Sequence, residues 1–544
     1  MKQRRARLLL ASLSCLGLLA GCGERAPGAA PIEVGTALAA RQVLHRAVDQ
    51  MPRSLDPTLI TDIPAQRLID DLFEGLTTLA EDGTVKPGVA ESWSVSEDGK
   101  IWTFHLREAQ WSNGEAITAG DFVYAWQREV DPKTAADYAQ TLAPLRNASA
   151  ISAGKLPPSE LGATAIDART LRVELEAPTS YLLALLTGNF MMPLHRATVE
   201  RWGESWARPE HLVCNGPFVV AEVVIGNRIV LRRNPRYWDA ASVRLEEVAY
   251  YPLDRAAQNS RYLAGDLHFT ESFSAEQFEW LSRQLGDQVH TAPWLGTFML
   301  AVHMGRGPFA NNRALRMALS LAVDRDILTQ RVRHGLYQPA YSLVPPLPGY
   351  DAVTPPWSRL NAEQRHALAR RLYAEAGYDA QHPLRVELVY PTDSDNKQIY
   401  DALIAMWKQN LGAEITPYNE EFRVMLQNRR LHTLTLFQAA WFGDFADPYA
   451  FLQVFTSDSG INNGLYANAE FDRLLNDANA QTDDAQRTMM LRQAENMLNA
   501  DAPYMPLYFY SSRHLIKPYV RGYQINVLDR NPSRYLYLLE HQGS

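Results

Sequence analysis

Helix-like and strand-like stretches alternate along this sequence, as where residues 361 to 377 are followed by Leu384 to Val389, and no other feature limits the fold as much. The alternation points to lobes of the α/β class. With 544 residues the chain has material for roughly three or four lobes of about 150 residues each. A formal net charge of -8 favours solubility, and no basic tract lies outside the N-terminus, so nucleic acid is not an expected partner.

Residues 1 to 22 stand apart from the fold. Met1 to Arg7 is basic, residues 8 to 20 form an apolar run too short to span a bilayer comfortably, and the run ends at Leu19-Ala20-Gly21-Cys22. This resembles a bacterial lipobox, which implies a lipoprotein signal peptide and lipidation of Cys22; an ordinary signal peptide with an incidental cysteine is the alternative. A lipid at Cys22 would hold the protein on a membrane face of the cell envelope without crossing it. Gly23, which is not an Asp, would permit outer-membrane sorting in enteric bacteria. Residues 23 to 40, rich in Ala, Gly and Pro, suit a flexible tether. Cys15 leaves with the signal and Cys22 carries lipid, so Cys214 is the one cysteine expected in the folded body. It cannot form an internal disulfide, and stability has to come from core burial.

Several local elements are legible. Residues 65 to 76 space their apolar side chains as a helix does, ahead of a glycine stop. Asp98-Gly99-Lys100 reads as a hairpin turn into Ile101 to Arg107, which alternates with Trp102, Phe104 and Leu106 on one face and His105 on the other, exposed face. Thr118-Ala119-Gly120-Asp121 has the form of a capping box opening a helix over Phe122 to Arg128.

The stretch from Ala439 to Tyr449 places Asp444 among four aromatic rings. An apolar wall holding one carboxylate excludes water and lowers the local dielectric, so a bound ammonium gains more there than in open solvent. The alternative is a turn residue bonding its own backbone. Asp447-Pro448 suits that second role, as an N-cap with proline at the first helical position.

An enzyme would need a nucleophile beside a base, a phosphate-cradling glycine loop or a metal set. The sequence has no Gly-x-Ser-x-Gly, no His-Glu-x-x-His and no cysteine pair at metal spacing, and its 13 histidines are scattered. No enzyme, cofactor or metal is therefore expected.

A series of short motifs keeps a common order over the mature chain. They are Ser54-Leu55-Asp56-Pro57, Asp71-Leu72-Phe73-Glu74-Gly75-Leu76, the Ala90 to Arg107 stretch, Trp111-Ser112-Asn113-Gly114, Asp121 to Trp126, Asn215-Gly216-Pro217-Phe218, Asn234 to Trp238 and Ala322 to Asp326. In this order they resemble the cluster 5 solute-binding proteins, the peptide and oligopeptide receptors of ABC importers. The resemblance implies an α/β, bilobal periplasmic-binding-protein type II fold with an extra subdomain inserted in the first lobe. Residues 41 to 73, 194 to 295 and 512 to 544 would form lobe I, residues 74 to 193 the inserted subdomain, and residues 296 to 511 lobe III. Crossings between lobes would fall near Trp294 to Thr297 and Tyr510 to Arg513.

The resemblance also implies a function: capture of a peptide by lobe closure and delivery to a membrane permease with its ATPase, by a protein acting as a monomer. Relatives with this fold bind dipeptides, murein peptides, oligosaccharides, haem or nickel chelates, so the fold alone does not choose the ligand. On the family pattern Asp444 pairs with the peptide α-amine, and the main chain at Trp441, Phe442 and Gly443 pairs with the first residues. Tyr138, Phe422 and Ile63 fall at pocket or backbone-pairing positions, or in lobe core. Arg429 matches one arginine of the carboxylate end, or else forms a surface salt bridge. Gln438 and Asn396 replace an arginine and a histidine there. Neutral amides give up the charge-assisted part of a carboxylate bond, so a narrower ligand set is expected. The family disulfide is missing, with Gly296 and Phe442 in its two places.

Overall fold

A computed structural model describes residues 32 to 392 and 396 to 541; Cys22 and the expected signal lie outside the described residues. The expected helix-strand pair near residue 370 is present as helix Ala362–Glu375 and strand Arg385–Pro391. Asn361 starts the helix through a capping box with Gln364. The strand joins a six-stranded sheet in the order Gln338–Pro339, Tyr504–Leu515, Val289–Val302, Leu436–Phe442, Arg385–Pro391, Glu414–Glu420. Leu436–Phe442 pairs antiparallel with Val289–Val302 and parallel with Arg385–Pro391. Helices cover this sheet, and Phe298, Leu319, Trp407 and Tyr508 lie in its buried core.

A second sheet of four strands orders Val43–Val48, Glu247–Pro252, Arg228–Arg233 and Phe218–Val224. A third, antiparallel throughout, orders Ala90–Val95, Ile101–Leu106, Thr170–Glu174 and Ala163–Ala165. Gly99, with φ at +68°, makes the turn between its first two strands, and His105 is exposed as the alternation requires. The capping box at Thr118 and Asp121 forms, although its helix runs longer than expected, over Ala119–Val130.

Two long strands connect the sheets. Val289–Val302 and Tyr504–Leu515 pair antiparallel along most of their length, and the pairing is interrupted between Pro293 and Thr297. Before the interruption they lie against the second sheet's side, where Leu515 N–H bonds the Thr270 hydroxyl and Phe269 bridges to both Arg46 and Ile516. Beyond it they are central strands of the six-stranded sheet.

The motifs that marked the sequence are joints of this scaffold. The helix expected over residues 65 to 76 ends earlier, as Ile63–Leu72, because Phe73 turns extended and its neighbours dock on the C-terminal segment. Asp70 pairs with Arg530, Asp71 accepts from Ser533 and Tyr250, and Glu74 holds Arg534, Tyr237 and Trp238. Asn215 bonds the Glu74 backbone at both ends. Asp56 takes Arg128 in two bonds and the Trp206 indole in a third. Each buried acid is thus offset by a cation or several donors, the condition under which such charges are tolerated. Cys214 is free and buried, and burial pushes its thiol up to about 12, which makes it inert packing.

Candidate functional site

Strand Leu436–Phe442 is hydrogen-bonded on both sides, so the loop after it leaves a rigid edge. Gly443 keeps that loop tight against Val289–Val302: its N–H bonds Leu295 O at 3.0 Å, and a Cβ there would come within 2.7 Å of the Leu295 side chain. Farther on, Phe445 stacks on Tyr181 at 4.9 Å, and Tyr449 stacks on the same ring at 4.8 Å. Asp447 is not the expected N-cap but a turn residue, accepting Tyr449 N–H at 2.8 Å, and both of its oxygens also hold Arg487 at 2.8 Å. Pro448 takes the N-cap position of helix Tyr449–Leu452 and not the first helical one.

Two cavities meet at this loop. The first, of about 190 Å³, is lined by Phe442, Gly443 and Asp444 of this loop and by Ile63, Tyr138 and Asn189 of other elements. The second, of about 380 Å³, is lined by Phe422, Arg429, Gln438, Trp441 and Tyr466, among others, and Phe442 borders both. The four rings around Asp444 therefore do not form one wall. Trp441 faces the second cavity and gives its indole N–H to Ala450 O at 2.7 Å, Phe445 and Tyr449 hold Tyr181, and Phe442 divides the two spaces.

Asp444 has no hydrogen bond or ion pair among the described residues, although the other acid of its loop, Asp447, is fully engaged. Burial without a compensating partner raises its carboxyl to about 6. Burial, with the Asp444 charge adding to it, pushes the Tyr138 phenol to about 12; its ring stacks on Phe190 at 5.5 Å. The cavity's one arginine, Arg530, is already committed to Asp70. Asp62 also lines the cavity and caps the helix Ile63–Leu72 by accepting from Ala65 N–H. The first cavity is thus rich in acceptors and has no uncommitted cation. Ile63 is exposed at the first turn of that helix.

In the second cavity the polarity reverses. Helix Phe422–Arg430 puts Phe422 at its half-exposed start and Arg429 in its last turn. Arg429 forms no salt bridge among the described residues, which corrects the surface-pair alternative. Its guanidinium sits 5.8 Å from the Phe437 ring centre, its Nε has no hydrogen-bond partner among the described residues, and burial lowers its pKa to about 10. Gln438 is buried beside it, and its side-chain amide makes no hydrogen bond among the described residues. Asn396 lies just before helix Lys397–Leu411 and lines neither cavity. Gly296 pairs in register with Phe442, and a Cβ at Gly296 would lie 2.5 Å from the Phe442 ring, so that ring fills the space above the glycine. Phe442 also packs against Trp294 at 4.5 Å and Tyr510 at 4.7 Å.

Asp62 and Asn189 line the first cavity although neither is among the expected site residues, and Trp294, which also lines it, was expected only at a crossing between lobes. Asp62 before Ile63-Pro64 carries the signature of an N-cap, which could have found it. Nothing local marks Asn189.

The model of the bacterial extracellular solute-binding proteins, family 5 (middle), matches residues 84–463. The chain belongs to that family. Within it, the chain is 37% identical over 523 residues to the periplasmic murein peptide-binding protein MppA of Escherichia coli, covering 94% of this chain and 96% of the relative. It is also 37% identical over 520 residues to the periplasmic oligopeptide-binding protein OppA of Escherichia coli, covering 94% and 95%. The solved structure of the Escherichia coli murein tripeptide-binding protein MppA superposes with a TM-score of 0.82 at 37% identity, over 93% of this chain and all of that one. The fold of this family is bilobal, of the type II periplasmic-binding class.

Proposed function

We propose that this chain is a peptide receptor of the cell envelope that closes its lobes on a short peptide and delivers it to the permease of an ABC importer. The reading rests on one observation: an unpartnered carboxylate, Asp444, and an unpartnered guanidinium, Arg429, line adjoining cavities that meet at Phe442. A zwitterion with its charges at opposite ends satisfies both. A neutral sugar would hydrogen-bond both groups but neutralise neither charge. Asp444 takes the α-ammonium, the strand edge at Trp441 to Gly443 takes main-chain groups, and Arg429 with Gln438 takes the carboxylate. Tyr138, Phe422 and Ile63 flank the ligand, and murein peptide, which the relative MppA binds, fits the same chemistry.

Closure follows from differential binding. Residues from separate elements around the first cavity touch one ligand, so the ligand stabilises the closed arrangement over the open one. The segments we assign to lobe I are 41 to 73, 194 to 295 and 512 to 544, with 74 to 193 inserted and 296 to 511 as lobe III; the expected tether over 23 to 40 is shortened, because strand Val34–Leu38 pairs antiparallel with Tyr537–His541 and so joins the folded body. Lipid at Cys22 would keep the receptor at a membrane, which mass measurement of the N-terminal peptide from envelope fractions checks. The protein binds and does not transform its ligand: a bound peptide recovered intact after long incubation is the expected result.

Asp444→Ala removes one partner of a desolvated ion pair, a loss of about 3 to 5 kcal/mol, or roughly two to three and a half decades of affinity. Calorimetry with a short peptide measures it. Wild-type affinity in that variant would overturn the amine anchor.

A further inference from the structure

The first cavity contains a second acceptor without a donor. Asn189 is 5% exposed, lines the cavity together with Asp444, and its side-chain oxygen has no hydrogen-bond partner among the described residues. Its amide nitrogen donates to Gln66 O at 3.3 Å, which fixes the orientation, because rotating the amide would set its oxygen against that carbonyl. The residue opens the short 3₁₀ turn Asn189–Met191, and the next side chain, Phe190, stacks on Tyr138 at 5.5 Å. The turn is therefore anchored on helix Ile63–Leu72 and on Tyr138, elements separate from the loop that carries Asp444 into the same cavity. A buried acceptor left empty is costly unless a ligand donates to it.

We propose that Asn189 is a second acceptor for the ligand's terminal ammonium, so that the amine bridges Asp444 and Asn189 of separate elements and the receptor selects primary amines. The inference rests on the amine reading of Asp444 given above. A primary ammonium carries three N–H donors, enough for both acceptors with one left for water or a carbonyl. A tertiary ammonium keeps the charge and has a single donor, which Asp444 takes. A bridging amine is also a reason for closure, since neither element alone satisfies it.

The test is a two-by-two comparison by calorimetry on the full mature protein, using trialanine and N,N-dimethyl-trialanine as probes and wild type and Asn189→Ala as receptors. Trialanine is expected to bind wild type roughly 10- to 100-fold more tightly than the dimethyl form, the range of one charge-assisted hydrogen bond. Asn189→Ala is expected to weaken trialanine by a similar factor and to bring the two probes nearly level. Asn189→Asp, which keeps an acceptor, should retain the preference, and unfolding temperatures show that both variants are folded. Losses that multiply independently, with no coupling between probe and variant, overturn the role of Asn189. N-acetyl-trialanine separates this from the parent reading. A large loss for the acetyl form without coupling sinks Asn189 alone, whereas acetyl-trialanine binding as tightly as trialanine, or trialanine failing to bind at all, sinks both.

Discussion

The two cavities on either side of Phe442 are opposites in what they lack. The first has acceptors without donors, Asp444 and Asn189, and its only arginine is held by Asp70. The second has a cation without an acceptor, Arg429 with an orphaned Nε, beside Gln438, whose amide offers both a donor and an acceptor and bonds nothing among the described residues. Elsewhere in the described structure most buried acids are matched, as Asp56 is with Arg128 and Glu74 with Arg534, while Glu129, buried with both oxygens unpaired, has its carboxyl raised by burial to about 9 and so stays neutral. Leaving Asp444 and Arg429 desolvated and unpaired destabilises the empty protein, and a zwitterion removes both penalties at once. Affinity at this site is to that extent relief of a cost already present in the folded chain.

That comparison makes a prediction in which stability and affinity move in opposite directions. After the loss expected of Asp444→Ala, the next largest belongs to Arg429→Met. Losing a charge-assisted bond to the ligand carboxylate costs about 1.5 to 3 kcal/mol, or roughly 10- to 100-fold in affinity. The same substitution replaces an uncompensated buried cation with an apolar chain of similar length, so the unliganded protein should be unchanged or more stable by about 1 to 4 kcal/mol. Denaturant unfolding and calorimetry on one preparation measure both. A variant that loses stability along with affinity would show that Arg429 is a structural residue with a partner in the empty state.

The scaffold was far more legible in the sequence than the site, and the reason is physical. Ser54 to Pro57, Asp71 to Leu76 and Asn215 to Phe218 are joints of the scaffold: Asp56 reaches Arg128 and Trp206, the Glu74 side chain reaches Tyr237 and Arg534, and the Glu74 backbone bonds the Asn215 amide. Such joints need fixed residue types at fixed places, so they leave dense local patterns. The capping box at Thr118 and the alternation around Phe104 were legible for the same reason, since each is decided within a few residues. A site works by leaving groups unsatisfied, and no local pattern records a missing partner. Asp444 and Asp447 are three residues apart in one aromatic loop, and only the fold shows that Arg487 takes one and nothing takes the other. The end of helix Ile63–Leu72 was misplaced because Phe73 obeys the docking of Glu74, a contact that depends on residues 215, 237 and 534.

Protonation sharpens the contrast between the cavities, because only one of them titrates near neutrality. Burial holds the unliganded Asp444 carboxyl near 6, above its ordinary 3.8, so below pH 6 the folded protein binds a proton that the unfolded chain does not. Asp444 therefore lowers stability above pH 6, and that penalty is relieved as pH falls from 6 toward 4. Compared with Asp444→Asn, wild type should gain roughly 2 to 3 kcal/mol across that window, read from the difference in unfolding free energy. Ligand affinity should run the other way. A bound ammonium needs the ionised carboxylate, so affinity should fall below pH 6 by up to about tenfold per unit. Tyr138 faces the same cavity, and its phenol, near 12, stays neutral throughout. A flat affinity profile between pH 5 and 7 would mean that Asp444 does not meet the ligand's charge.

The smallest effect expected is at Gln438, and it tests whether the second cavity is selective because it has lost a cation. Gln438 lies on the strand Leu436–Phe442 beside Arg429, buried and with an unused amide, so Gln438→Arg adds a second positive charge to a space that already holds one without a counterion. Two like charges in one apolar cavity raise the cost of the empty state, and the variant should be modestly less stable. In return a carboxylate arriving at either position finds a charged partner, and peptides of more than one length become acceptable. Across di-, tri-, tetra- and pentaalanine the wild type should prefer one length, and Gln438→Arg should narrow the spread by a few-fold, an effect of about 1 kcal/mol. Equal affinity of the wild type for all four lengths would show that the neutral amide at Gln438 selects nothing, and that the donor cavity differs from the acceptor cavity in charge alone.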